Sequence, residues 1–279
     1  MTTETVFDEL IELRGLRFAF RDWAAKAPGA PTLVLLHGYT GHARSWDAFA
    51  EAMTDRYRVI ALDQRGHGAS GWAPADKYGV EDMADDLEAF VGALGLERFS
   101  LLGLSMGGMV AMEYAGRRPK ALAELVIVDI GPELIQAGSQ RIQTGAKAKD
   151  VFASRDEAFA AARAVNSLPP EAHHRHRSDH SLMRTEDGQW TYRYDRALRA
   201  PGTLRPRKPD VAWASCANIQ VPTLIIRGGL SDLFARETAE KMVQVIPDAR
   251  CVEIARSGHP VPLDAPDEFL AAARGVLKG

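Results

Sequence analysis

Six apolar runs, at about residues 33–36, 57–62, 99–102, 125–128, 224–227 and 250–254, are each too short for a buried helix and alternate with longer amphipathic stretches. That alternation is the pattern of parallel strands covered by helices. In VEDMADDLEAFVGAL, Val80, Met83, Leu87, Phe90, Val91 and Leu94 fall on one helical stripe, while Glu81, Asp82, Asp85, Asp86 and Glu88 face away. This predicts a covering helix. Near the start, LIELRGLRFAFRDW alternates around Gly15 like a hairpin and predicts an antiparallel edge to the sheet.

The alternation breaks between about residues 131 and 208, where helix-like pieces rich in Ala, Arg and His stand in for strands, and it resumes at VPTLIIRGG. The expected organisation is therefore a core of residues 1–130 and 209–279 with a helical cap, residues 131–208, inserted between them. Residues 141–208 hold 14 Lys and Arg against 8 Asp and Glu, a net of +6 that leaves −9 on the rest of a chain of net charge −3. A basic cap favours an anionic substrate. Its HHRHRSDH stretch lacks a companion cysteine or a ligand pair spaced along one helix face, and reads as a surface segment.

At 279 residues, 46% of them hydrophobic, the chain can bury a large core. The slight negative charge and the lack of a long like-charge block predict no nucleic-acid partner. No run of 18 apolar residues occurs, and the acidic MTTETVFDEL is unlike a signal peptide, so the expectation is a cytoplasmic protein without membrane association, monomeric or homodimeric. Cys216 and Cys251 carry no spacing signature and receive no role.

The chemistry centres on LLGLSMGGMV. Ser105 follows an apolar strand and opens a helix of small residues, so the chain must reverse within about two residues there. Gly103 and Gly107 flank it where a Cβ would collide, and Gly108 gives room for close helix packing. The helix starting at Met106 directs its free N–H groups toward an oxygen that becomes negative. A serine nucleophile needs a base, and His259 in ARSGHPVPLDAPDEF lies just after the last strand, at the same carboxyl edge of the sheet. His37 in LLHGYTG and His67 in DQRGHGAS sit in glycine-rich turns and read as structural supports. Two aspartates compete to orient the base: Asp232 in LIIRGGLSDLF and Asp129 in LVIVDIGPE. The chain order Ser, Asp, His holds for both.

The elbow GLSMGG, the early HGYTG, the turn DQRGHG and the terminal GHPVPLDAPDEF together resemble the α/β-hydrolase fold family over nearly the whole chain. The resemblance implies a mostly parallel sheet of about eight strands with helices on both faces. It places the acid after the strand that ends in RGGLSD, hence Asp232. Asp129 matches a rarer arrangement found in some members, among them a vitamin B6-degrading amide hydrolase. It also implies an oxyanion hole from the backbone N–H groups of Tyr39 and Met106, and a serine where dehalogenases and epoxide hydrolases of this fold carry aspartate. The expected pocket is lined by Tyr39, Met106, Trp46 and Trp190. No metal or organic cofactor is called for. The first expectation is a hydrolase of small carboxylic esters or lactones. Amide or C–C cleavage of an anionic substrate is the alternative within enzymes, and a non-catalytic ligand-binding receptor the alternative outside them.

Overall fold

The computed structural model describes residues 6–145 and 148–277. The described chain opens with a hairpin, β1 (Val6–Leu13) and β2 (Leu16–Trp23), paired antiparallel with Leu13 opposite Leu16. Arg14 and Gly15 at its tip have φ of 52° and 77°, the left-handed pair of a two-residue turn whose twist matches the strands.

Strands and helices then alternate as β3 (Thr32–Leu36), α1 (Asp47–Met53), β4 (Arg58–Leu62), α2 (Val80–Ala93), β5 (Phe99–Leu104), α3 (Met106–Gly116) and β6 (Leu122–Val128). A long excursion follows: α4 (Gln136–Gly145), β7 (Val151–Phe152), α5 (Arg155–Val165), α6 (Glu171–His180), β8 (Leu182–Arg184) and β9 (Trp190–Tyr192). The alternation resumes with α7 (Pro209–Asn218), β10 (Thr223–Gly228), α8 (Arg236–Val245), β11 (Ala249–Ile254), α9 (Val261–Asp264) and α10 (Pro266–Arg274). No described helix is long and apolar enough to cross a membrane.

The main sheet has eight strands in the order β1-β2-β4-β3-β5-β6-β10-β11. The hairpin joins antiparallel through β2 and β4, and the other neighbours are parallel. The six expected runs fall on the six strands β3, β4, β5, β6, β10 and β11. All but the edge strand β11, which is mostly exposed, are near-continuous apolar runs because both faces are covered. Val34, Ile60, Leu101, Ile127 and Ile225 point into one core with Leu87 and Phe90 of α2 and Val110 of α3. Leu33, Leu35, Val59, Leu102, Val126 and Leu224 point into the other with Phe49 of α1 and Phe269 of α10.

Helix α2 buries Val80, Met83, Leu87, Phe90 and Val91 as its stripe predicts. Asp86, expected to face water, is buried instead. Its oxygens accept from Arg65 Nε at 2.5 Å and Arg65 Nη2 at 2.6 Å, and Arg14 adds a third bond at 2.8 Å. A buried carboxylate is tolerated in such a place only when it is paired in this way.

The excursion between β6 and α7 is not wholly helical. β7, β9 and β8 form a second, antiparallel three-stranded sheet packed on α5 through Phe152, Ala158 and Leu182. Strands of two or three residues are too short to leave an alternation in the sequence. The HHRHRSDH stretch is α6, and it is not a surface segment: His174 and Ser178 are buried. His42 Nε2 lies 3.2 Å from the Arg177 carbonyl oxygen and 3.0 Å from Ser181 Oγ, and His176 Nε2 lies 3.0 Å from Asp47 Oδ2. Among the described residues no His, Cys, Asp and Glu side chains group as a metal site requires.

Candidate active site

Ser105 stands between β5 and α3 with φ 53° and ψ −116°, a backbone that residues other than glycine rarely adopt. Its N–H donates to Val128 O at 3.0 Å and its carbonyl accepts from Met109 N at 2.9 Å, so both sides of the kink are held. The turn closes because two side chains are missing. A Cβ on Gly103 would lie 2.2 Å from the Gly107 carbonyl oxygen, and one on Gly107 would lie 2.5 Å from that of Leu36.

His259, on the loop between β11 and α9, places Nε2 2.8 Å from Ser105 Oγ and Nδ1 2.7 Å from Asp129 Oδ2. A carboxylate only accepts, so the proton sits on Nδ1, and the Nε2 lone pair is left to accept from the serine hydroxyl. Asp129 leaves the end of β6 with φ 49° and is fully buried. Its Oδ1 accepts from Gly228 N at 2.7 Å, and its Oδ2 accepts from Ser231 Oγ at 2.5 Å. Three donors thus satisfy the buried charge.

The expectation that Asp232 orients the base is corrected. Asp232 is partly exposed and turned outward, where Arg141 Nε and Nη2 donate to its two oxygens at 2.6 and 2.7 Å. Arg141 also holds the Asp232 carboxyl below its ordinary pKa. The loop after β10 does reach the site, but with Ser231, one residue earlier.

Tyr39 and Met106 sit on the two segments that flank Ser105 Oγ. A Cβ on Gly38 would be 3.2 Å from Ser105 Cβ, so the 37–39 loop lies against the nucleophile. Among the described residues the backbone N–H groups of Tyr39 and Met106 donate to no acceptor. The Met106 side chain is buried in the core rather than lining the pocket. The Tyr39 hydroxyl donates to Leu198 O at 3.0 Å, and burial raises its pKa to about 12. Its ring centroid is 6.2 Å from that of Tyr194, which stacks at 5.8 Å on Tyr192. These tyrosines, spaced two apart after Trp190, are wall residues that the sequence reading passed over.

Of the two tryptophans assigned to the pocket, Trp46 lies elsewhere. Trp46 packs with Phe49 and Phe269 in the core on the opposite face of the sheet. Trp190 holds the guanidinium groups of Arg155 and Arg184 at 4.3 and 4.7 Å from its ring. His37 and His67 organise backbone. His37 Nε2 accepts from Gln64 N at 3.0 Å with Nδ1 2.8 Å from Gly38 O, and His67 Nδ1 is 2.9 Å from Arg65 O. Burial lowers the pKa of both, that of His67 to about 4, so both rings are neutral at physiological pH.

A model of the α/β hydrolase fold matches residues 31–266. A 3-hydroxybutyrate-oligomer hydrolase of Cupriavidus necator is 30% identical over 91% of this chain and 90% of its own. The chain belongs to the α/β-hydrolase fold family. The 2-(acetamidomethylene)succinate hydrolase of Mesorhizobium japonicum is 28% identical over 88% of each chain. The solved structure of an α/β hydrolase from Novosphingobium aromaticivorans matches with a TM-score of 0.87 at 27% identity, covering 98% of both chains. With relatives named as hydrolases over nearly its full length, the chain is a hydrolase of this family.

Proposed function

We propose that this α/β hydrolase cleaves a small-molecule carboxylic ester or lactone through an acyl-enzyme on Ser105. The observation that carries the reading is the unbroken row from Ser105 Oγ through His259 to Asp129, at 2.8 and 2.7 Å. Ser105 Oγ attacks the carbonyl carbon as His259 Nε2 takes its proton. The imidazolium that forms is stabilised by the buried Asp129 carboxylate. The N–H groups of Tyr39 and Met106 face the developing oxyanion, and each such donor is typically worth about 2.7–4 kcal/mol. His259 then returns the proton to the leaving alkoxide, and water repeats the cycle on the acyl-enzyme. In a lactone the leaving oxygen stays tethered, and the product is one hydroxy acid.

The test is pre-steady-state release of p-nitrophenol from p-nitrophenyl acetate, with intact-protein mass read on the quenched reaction. The expected result is a burst with one acetyl group on the protein, both lost in Ser105→Ala. Turnover retained by Ser105→Ala would overturn the reading.

A further inference from the structure

Helix α6 is built the wrong way round for a covered helix. An amphipathic helix normally lays apolar residues on its neighbours. Here the inward face buries His174, Ser178 and, at the C-cap, Ser181, spaced i, i+4 and i+7, with Arg177 partly exposed beside them at i+3. Arg177 is the one arginine among them. The Ser181 hydroxyl donates to the Arg177 carbonyl at 2.7 Å, and His174 stacks edge-on against Phe159 at 5.6 Å. The Arg177 guanidinium makes no ion pair within 4.0 Å and no hydrogen bond to any described residue. Its neighbours on the outer face behave differently: Arg175 bonds both Asp156 and Asp179.

The surroundings of Arg177 are those of the candidate active site. Its backbone is anchored to His42, on the segment that follows the 37–39 loop beside Ser105. Its charge disfavours protonation of His37 and His42, and it feels the fields of Tyr192 and Asp264. Asp264 makes no ion pair with it within 4.0 Å, and its oxygens accept from Asn166 Nδ2 at 2.7 Å and Gly258 N at 2.8 Å. Tyr192 ends the aromatic wall that runs through Tyr194 to Tyr39. Dehydration by the surrounding chain pulls the pKa of Arg177 below the ordinary arginine value. Arginine stays charged even so, and a partly exposed guanidinium with no ion pair among the described residues keeps its donors free for an anion.

We propose that Arg177 is the specificity residue of this hydrolase: its guanidinium receives a carboxylate carried by the substrate, while the scissile carbonyl lies at Ser105. The substrate class is thereby a monoester or lactone that bears a free carboxylate. A planar guanidinium with paired N–H donors fits a carboxylate in two parallel hydrogen bonds, and a neutral ester leaves the charge unmatched. The inference rests on the serine-hydrolase reading above and narrows it.

The test measures hydrolysis, by proton release in a pH-stat, of the monoethyl esters of succinic, glutaric and adipic acid against the corresponding diethyl esters. The wild type is expected to prefer at least one monoester over its neutral counterpart by about tenfold or more in kcat/KM. Arg177→Met lowers that ratio by about thirtyfold, as expected when one partner of a dehydrated charge pair is removed, and mainly through KM. Arg177→Lys keeps a charge and restores part of the ratio, which separates recognition from misfolding. Arg175→Met, one turn face away and already paired, leaves the ratio within about twofold. Equal rates on charged and neutral esters in the wild type, or an unchanged ratio in Arg177→Met, would overturn the proposal while leaving Ser105 acylation intact. Absence of any turnover, with no acyl group on Ser105 by mass, would overturn both the proposal and the reading beneath it.

Discussion

Ser231 and His259 meet on a single oxygen: the Ser231 hydroxyl donates to Asp129 Oδ2 at 2.5 Å, and His259 Nδ1 donates to the same atom at 2.7 Å. The other oxygen is held by Gly228 N–H. The carboxylate is therefore fixed in rotation before the histidine reaches it, and the imidazole is aimed by a group that cannot turn. Ser231→Ala removes one hydrogen bond to a charged acceptor, worth about 1.5–3 kcal/mol. The expected result is a kcat lower by about tenfold to a hundredfold with KM little changed, measured by steady-state ester hydrolysis.

Asp129→Asn and Asp232→Asn part sharply. The amide at 129 can hold the ring in the wrong tautomer, and kcat is expected to fall by about 10³–10⁴-fold. The amide at 232 loses only its exposed contacts with Arg141, an interaction worth at most about 1 kcal/mol at such a site. Its kcat should stay within about threefold of the wild type. A severe Asp232→Asn and a mild Asp129→Asn would reverse the assignment.

Ser105→Ala and His259→Ala act on one proton-transfer step, so their effects do not multiply. The double variant is expected to match the slower single variant within about threefold. Side-by-side kcat/KM values with one ester check this.

Acid stability carries the mark of the buried histidines. Burial, aided by the nearby Arg177 charge, lowers the His42 pKa to about 3, and burial lowers that of His67 to about 4. The unfolded chain binds these protons near pH 6.5. Stability from both is thus present above pH 6.5 and is lost as the pH falls toward 4 and then 3. Asp63 works the other way: burial raises its pKa to about 6, so acidification through pH 6 toward 4 favours the folded state at that one group. His37, also lowered by burial, adds to the two histidines, and Asp264, raised by burial, adds to Asp63; with the buried histidines dominant, the expected net effect from pH 7 to pH 5 is a Tm lower by about 5 °C, measured by thermal melts across that range. A Tm that rises on acidification would contradict it.

What the sequence made legible were the features that repeat or pack. The six apolar runs and the α2 stripe announce strands and a helix because burial demands them at every turn. Ser105 and His259 stand out because a strained elbow needs glycines at fixed offsets and a base needs the same sheet edge. The acid did not, since Asp129 and Asp232 both follow strands that end at that edge. Only three dimensions show that position 231 turns inward and 232 outward to Arg141. Trp46 misled for a similar reason: a tryptophan soon after HGYTG is near the site in sequence, yet the chain has by then turned to the opposite face of the sheet. Arg177 was hidden among histidines and arginines whose composition spoke of solvent, because the face that α6 turns inward is polar and leaves no apolar period.

In the pairing of β5 with β6, Leu104 lies directly opposite Val128. Ser105 and Asp129 are the next residue of each strand, and each turns away through a left-handed kink. The spacing of nucleophile and acid is accordingly a rung of the sheet, fixed by the distance between two adjacent strands and indifferent to the length of any loop. The excursion that follows Asp129 takes no part in that pairing. On the proposal above, recognition belongs to α6 in the excursion while the sheet keeps Ser105 and Asp129 in register.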